Sequence, residues 1–170
     1  MLTSDFDYHL PEERIAQDPV EPRDASRLLV VHRDGGALEH RTFRDILAYL
    51  RPGDLLVANE TRVIPARLQA VKEPTGGRVE VLLLARRDPL RWEALVRGRR
   101  VPVGQRLRFV APGAAAGLEP SEAAAVVEAL TPSGGRLLRF DEPVDGRLDA
   151  LGVVPLPPYI HRTLADPERY

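Results

Sequence analysis

Leu55-Leu56-Val57-Ala58-Asn59-Glu60-Thr61-Arg62-Val63-Ile64-Pro65-Ala66-Arg67-Leu68 is the stretch at which the character of the chain changes. Its first four residues form a short, wholly apolar run between the turn Pro52-Gly53-Asp54 and Asn59. Such a run suits a central strand buried on both faces. Beyond Arg62 the pattern becomes one of short strands with regular turns. The two halves of the stretch therefore point to two architectures.

Upstream, helix and strand signals alternate. Leu10-Pro11-Glu12-Glu13 reads as a helix start, with proline at a tolerated first position and acids suited to the helix dipole. Arg27 to Val31 is apolar and β-branched, and Asp34-Gly35-Gly36 turns it back into Ala37 to Arg41, which predicts a hairpin. Thr42-Phe43-Arg44-Asp45 approaches a capping box. Phe43, Ile46, Leu47 and Leu50 come next at helical spacing, giving one apolar stripe.

Downstream, strands are predicted at Val63 to Lys72, Val79 to Ala85, Arg91 to Val96, Gln105 to Val110 and Arg136 to Phe140. Turn clusters rich in Gly and Pro separate them, as in a small antiparallel barrel or sandwich. Trp92, Ala94 and Val96 should face inward. Ser121 to Leu130 has alanine-rich helix propensity, yet its place between the loop Ala111 to Pro120 and the turn Ser133-Gly134-Gly135 favours a strand. A short helix is expected at Asp145 to Leu151, then an extended Pro155-Leu156-Pro157-Pro158-Tyr159-Ile160. The fold class is thus α/β plus all-β. A partial α/β domain of residues 1–60 and 152–170 is interrupted by a Greek-key-like antiparallel β-barrel of residues 61–151.

Composition bounds the chemistry. The 170 residues suffice for one full core or two small ones, and 44% hydrophobic with 29% charged is ordinary for a globular protein. No apolar run approaches the roughly 18 residues that cross a bilayer, and the acidic start MLTSDFDYHLPEE does not read as a signal peptide. Without cysteine, disulfides, thiolate zinc sites and a cysteine nucleophile are excluded. The four histidines follow no ligand spacing, so a cytoplasmic protein without metal is the expectation. Lys72 is the lone lysine among 24 basic residues, so each arginine carries less meaning here than it would in a mixed set. The net charge of −1 gives no global case for nucleic acid. Locally, however, Arg86, Arg87, Arg91, Arg97, Arg99, Arg100, Arg106 and Arg108 stand against only Asp88 and Glu93. That stripe can steer a polyanion, or can be a solvated face of alternating strands.

A set of motifs in order resembles one family. They are Ser4-Asp5-Phe6-Asp7-Tyr8, Leu10-Pro11, Ile15-Ala16-Gln17, Arg23-Asp24-Ala25-Ser26-Arg27-Leu28, Ala37-Leu38-Glu39-His40-Arg41 and Leu50-Arg51-Pro52-Gly53-Asp54. Asn59 to Leu68, Val79 to Leu84, Trp92 to Arg97 and Pro155 to Ile160 complete the set. The chain resembles the amino-terminal half of the S-adenosylmethionine:tRNA ribosyltransferase-isomerases of queuosine synthesis. The family usually has aspartate where this chain has Glu60. Family members run on for a similar length again, so the expectation is a fragment, inactive alone, with an apolar sheet face left uncovered.

The resemblance implies transfer and isomerisation of the ribosyl part of S-adenosylmethionine onto 7-aminomethyl-7-deazaguanine at the tRNA wobble position, giving epoxyqueuosine. It implies S-adenosylmethionine as co-substrate, tRNA as partner, no membrane, and a monomer for the full-length enzyme. Within this chain, Asn59, Thr61, Arg62 and Arg67 lie after the Leu55 strand, where open α/β sheets bind ligands. They are expected to face a cleft open to a nucleoside. Asn59, Arg62, Arg67 and Asp24 are the candidates for the catalytic group, with the general base unassigned. Arg23, Ser26, Arg27, Thr61 and Tyr159 are candidates for substrate binding, and Arg97, Arg99 and Arg100 for tRNA. The plainer reading of Arg62 and Arg67 is a salt-bridge cluster fixing barrel to sheet, and that of Tyr159 a stiff linker. Asp5, Asp7 and His161 are further base candidates. The competing function is a non-catalytic RNA-binding barrel, against which stands the scatter of the few aromatic residues; a purely structural module is the third.

Overall fold

The computed structural model describes residues 1–113, 120–162 and 166. The expected loop Ala111 to Pro120 and the chain end therefore fall largely outside the described residues. The chain divides into a first unit, Met1–Thr61 with Pro157–Asp166, and a barrel unit, Arg62–Leu156. Together they make the expected class, a mixed helix–strand part and an antiparallel barrel.

In the first unit, strand β1 (Arg27–Val31) pairs with β2 (Leu38–Thr42) from Arg27 opposite Thr42 to Val31 opposite Leu38. The backbone reverses through Gly35 and Gly36 at φ 86° and 66°, a region that glycine enters without penalty. The capping box forms as expected, with the Thr42 amide donating to Asp45 Oδ2 at 2.9 Å. It opens a 3-10 helix, Phe43–Ala48, rather than a full α-helix, and Leu47 of its stripe is 75% exposed. Pro11 likewise opens only a single 3-10 turn, Glu12–Arg14. One turn fixes several dihedrals for few hydrogen bonds, so without packing it does not extend.

The buried strand expected at Leu55 to Ala58 does not form. Residues 55–61 have no regular secondary structure, and Leu55 and Val57 are 85% and 87% exposed. The cause is a missing ladder: β1 and β2 pair only with each other among the described residues. No residue of Met1–Thr61 is buried.

The barrel unit behaves differently. Its strands are β3 (Arg67–Glu73), β4 (Arg78–Arg86), β5 (Arg91–Arg97), β6 (Arg106–Val110), β7 (Pro120–Leu130) and β8 (Arg136–Phe140). The order β4-β5-β8-β7-β6-β3, with β3 also pairing β4, closes the sheet. Every pair is antiparallel. Two three-stranded meanders, β3–β5 and β6–β8, are joined so that β6 returns to β3, which is the Greek-key-like feature. A two-residue strand β9 (Gly152–Val153) adds to Leu68 and Arg67. Breaks in register at Leu83/Ala85, Arg108/Val110 and Val127/Ala129 supply the curvature that closure needs.

Alternation decides what enters the barrel. Leu68 and Ala70 of β3, Val79, Val81 and Leu83 of β4, and Trp92 and Ala94 of β5 are buried. Phe109 and Phe140 stack at 5.1 Å between ring centroids and 19° between planes. The alanine-rich segment is a strand because of them. Ala125, fully buried, lies opposite Leu107 on one side and Phe140 on the other, where a larger side chain would compete with the rings. Helix propensity yields to that packing. A 3-10 turn, Asp145–Arg147, runs into helix α1 (Leu148–Leu151), and Val144, Leu148 and Leu151 join the same core.

Candidate functional site

The expected site residues distribute over both units. Arg23, Asp24, Ser26 and Arg27 share one short stretch of the first unit. Arg23 and Asp24 lie in a 3-10 turn, the Ser26 carbonyl accepts from Phe43 N at 2.7 Å, and Arg27 opens β1. Asp24 pairs with Arg44 at 3.6 Å, so its carboxylate already has a cation. Asn59 and Thr61 are exposed in the irregular segment. Tyr159 is 55% exposed, and its carbonyl accepts from Gln17 Nε2 at 2.9 Å. Arg62 and Arg67 belong to the barrel unit.

Arg67 is the most informative of these. It alternates with the inward Leu68 and so stands on the outer wall of β3, half-buried. Its Nε is buried without an acceptor, and Nη2 reaches only the Leu156 carbonyl, at 3.5 Å. An unsatisfied buried donor costs about 1–3 kcal/mol, more when charged. The other such donor among the described residues is Trp92 Nε1, which sits in the core and carries no charge. An orphan donor alone is no site. Arg67 differs because it is a cation on the outer face and lacks a carboxylate partner among the described residues.

The arginine stripe splits into two classes. Arg86 pairs with Asp145 at 3.4 Å, Arg87 with Glu93, Arg91 with Asp88 at 3.1 Å and Glu128 at 2.7 Å, Arg106 with Asp141 at 2.5 Å and Glu73 at 3.2 Å, and Arg108 with Glu73. Hydrogen bonds from Arg87 and Arg91 hold the Glu93 and Glu128 carboxyls below their ordinary range. The Leu90 backbone N–H, followed by Arg91, does the same for Asp88. Arg97, Arg99 and Arg100 remain without an acidic partner among the described residues.

Residues 3–170 match the profile of the queuosine biosynthesis protein family. The chain belongs to that family. Its relatives include the S-adenosylmethionine:tRNA ribosyltransferase-isomerases of Moorella thermoacetica, 53% identical, and Symbiobacterium thermophilum, 54% identical. Each match covers 100% of this chain and 48% of the relative. The chain thus spans about half the length of the curated relatives it matches. A solved structure, S-adenosylmethionine tRNA ribosyltransferase from Thermotoga maritima, is 47% identical over 85% of this chain and 47% of its own, with a TM-score of 0.38.

Sequence reasoning missed two polar clusters. Glu39 receives His32 Nε2 at 2.5 Å, Arg41 Nη2 at 2.6 Å and the Tyr49 hydroxyl at 3.2 Å, and the His32 contact contributes most to its lowered pKa. Strand alternation puts Glu39 and Arg41 on one face, which was a usable signal. Gln17 joins Tyr159 and His161, and Asp18 joins Arg162, contacts between distant positions that no local pattern encodes. Among the described residues no group of three or more His, Cys, Asp or Glu could hold a metal, and no helix is long and apolar enough to cross a membrane.

Proposed function

We propose that this chain is the amino-terminal half of an enzyme that moves the ribosyl part of S-adenosylmethionine onto 7-aminomethyl-7-deazaguanine at the wobble position of tRNA. In that reaction the sulfonium acidifies the adjacent C5′ proton, which a positioned base removes. Ring opening and loss of adenine expose an electrophile to the aminomethyl nitrogen. Methionine leaves and epoxyqueuosine remains. The substrate brings its own activating group, so the protein chiefly orients and stabilises charge. S-adenosylmethionine is the co-substrate, no metal takes part, and the location is the cytoplasm. The proposed domain arrangement keeps residues 1–60 and 152–170 in one domain with the barrel of 61–151 inserted.

The observation that carries the reading is the unpaired Nε of Arg67 on the outer barrel wall. A half-buried guanidinium whose Nε–H has no acceptor, and whose Nη2 has only a long contact to the Leu156 carbonyl, suits a carboxylate or phosphate that takes a hydrogen bond from each. Asn59, Arg62, Arg67 and Asp24 make up the proposed catalytic group. Arg23, Ser26, Arg27, Thr61 and Tyr159 are the proposed substrate contacts, and Arg97, Arg99 and Arg100 the proposed tRNA contacts.

The test uses the protein as isolated from its source, after its intact mass is measured. Incubated with S-adenosylmethionine and tRNA carrying the precursor base, it should release adenine. Arg67→Ala should slow release by roughly 10- to 100-fold, the range for losing a hydrogen bond to a charged group. No adenine from a source protein whose intact mass exceeds that of this chain, and so includes the other half, sinks the proposal. The second reading, an RNA-binding barrel without chemistry, is favoured by the arginines that lack acidic partners.

A further inference from the structure

The cations of the barrel fall into a neutralised set and a bare set, and, Arg67 on the outer wall of β3 aside, the bare set lies together. Beside Arg97, Arg99 and Arg100, it contains Lys72, Arg78 and Arg136, none with a carboxylate partner among the described residues. Lys72 ends the paired part of the β3–β4 hairpin, its N–H donating to Gly77 O at 2.9 Å, and Arg78 begins β4. The Lys72 ammonium donates to the Arg99 carbonyl at 2.8 Å, which fixes the β5–β6 connection against that hairpin. Gly98 is required at this contact, because a Cβ there would lie 2.5 Å from Val79 Cγ1. Arg136 Nε donates to the Val101 carbonyl at 3.2 Å, bringing a further cation to the same connection. Arg100 holds φ 50°, sparsely populated by residues other than glycine. Glu80, opposite Arg97 in register, forms no ion pair with it.

Elsewhere on the barrel nearly every arginine is given an acid; here the charges are left to repel one another. Such a field favours a polyanion. Forked guanidinium donors suit phosphate oxygens in particular. The aromatic residues of the barrel, Trp92, Phe109 and Phe140, are all buried in the core, so the rim offers no ring for an unpaired base. Single-stranded RNA is held by stacking platforms, whereas duplex RNA is held through its phosphates and 2′-hydroxyls.

We infer that the rim formed by Lys72, Arg78, Arg97, Arg99, Arg100 and Arg136 grips the backbone phosphates of a helical RNA stem, reading neither sequence nor unpaired bases. The inference rests on the proposed tRNA substrate and says which part of it this surface holds. The base undergoing chemistry is bound elsewhere. The rim therefore contributes to affinity and not to the chemical step.

Fluorescence anisotropy with this chain tests it, using unmodified tRNA, a blunt RNA duplex and a single strand of equal length. tRNA and duplex should bind alike and the single strand at least tenfold more weakly. The triple variant Arg97→Ala, Arg99→Ala, Arg100→Ala should weaken duplex binding at least tenfold. It should also lower the slope of log K against log salt by about 2–3, somewhat under one per phosphate contact. Arg86→Ala with Arg106→Ala, from the neutralised set, should change affinity less than twofold. The Trp92 unfolding midpoint checks that each variant is folded. Equal losses in both variants, single-strand binding as tight as duplex, or phosphatidylglycerol vesicles bound as tightly as RNA would each overturn the inference. In the adenine-release assay the rim variant should raise KM for tRNA and leave kcat unchanged. RNA binding with no adenine release in any protein would instead sink the ribosyl transfer and leave the rim standing.

Discussion

The two units carry comparable apolar side chains and do opposite things with them. In the barrel, Leu68, Leu107, Phe109, Phe140 and Leu138 are essentially inaccessible. In the first unit, Leu2, Phe6, Tyr8, Leu47, Leu55, Leu56 and Val57 are all more than half exposed. The barrel has a closed ladder on which alternation can act; the first unit has one hairpin and several 3-10 turns. A two-stranded hairpin is marginal without a surface to pack on. Hydrophobicity is therefore only half of a core, and the other half is a set of neighbours to bury it against. Leu55, Leu56 and Val57 follow one another in the chain, and exposed apolar side chains that cluster mark a place to be covered.

The largest test of the contrast is truncation on each side. Phe140→Ala removes a stacked, buried ring and should cost about 3–5 kcal/mol in urea unfolding. Trp92, the sole tryptophan, sits in the barrel core and reports that transition alone. Phe43→Ala, at a side chain 45% exposed in the first unit, should stay within about 0.5 kcal/mol. Equal costs would mean that the first unit has a core of its own, and the contrast would fail.

A middle-sized effect concerns the exposed run. Leu55→Asp combined with Val57→Asp should reduce binding of the apolar dye ANS to the folded chain by roughly half, because it breaks the patch that the dye wets. The barrel midpoint should not move. A drop in that midpoint would show that these residues support the barrel.

Legibility in the sequence divides along the same line. Arg91 to Val96 and Arg136 to Phe140 were readable as strands, the first because it alternates and the second because a turn cluster bounds it, and each has neighbours within the chain. Ser121 to Leu130 was readable only by weighing its flanking turns against its alanines. Leu55 to Ala58 was misread because an apolar run between turn signals says what a segment prefers, not whether its partners are present. Motif order gave the family. The choice of Arg97, Arg99 and Arg100 drew on charge alone. That the neighbouring arginines would be neutralised by Glu73, Asp88, Glu128, Asp141 and Asp145 depended on cross-strand register, which no single segment contains. The orphaned donor of Arg67 was equally out of reach, since it needs the position of Leu156.

The smallest expected effect is acid sensitivity, and it separates the units most finely. Asp88, Glu93 and Glu128 have carboxyl pKa values lowered by folding. A group so lowered contributes stability that is complete above its unfolded pKa, near 4 for such carboxylates, and is lost as pH falls through the folded value. The Trp92-detected midpoint should therefore be flat from about pH 7 to 5 and fall below about pH 4.5. Glu128→Gln, which removes the carboxylate shared by Arg91 and Arg139 and leaves Arg91 with Asp88, should lower the plateau slightly and make the acid drop shallower. Added salt should shrink the difference, since these pairs lie near solvent. Glu39 is lowered too, by His32 and Arg41, but its cluster joins the hairpin to Tyr49 in a unit with no buried residue among the described ones to transmit the change. Glu39→Gln should leave the whole Trp92 profile where it was. A shift there would show that the ionic network of the first unit is coupled to the barrel core, and that the two regions unfold as one.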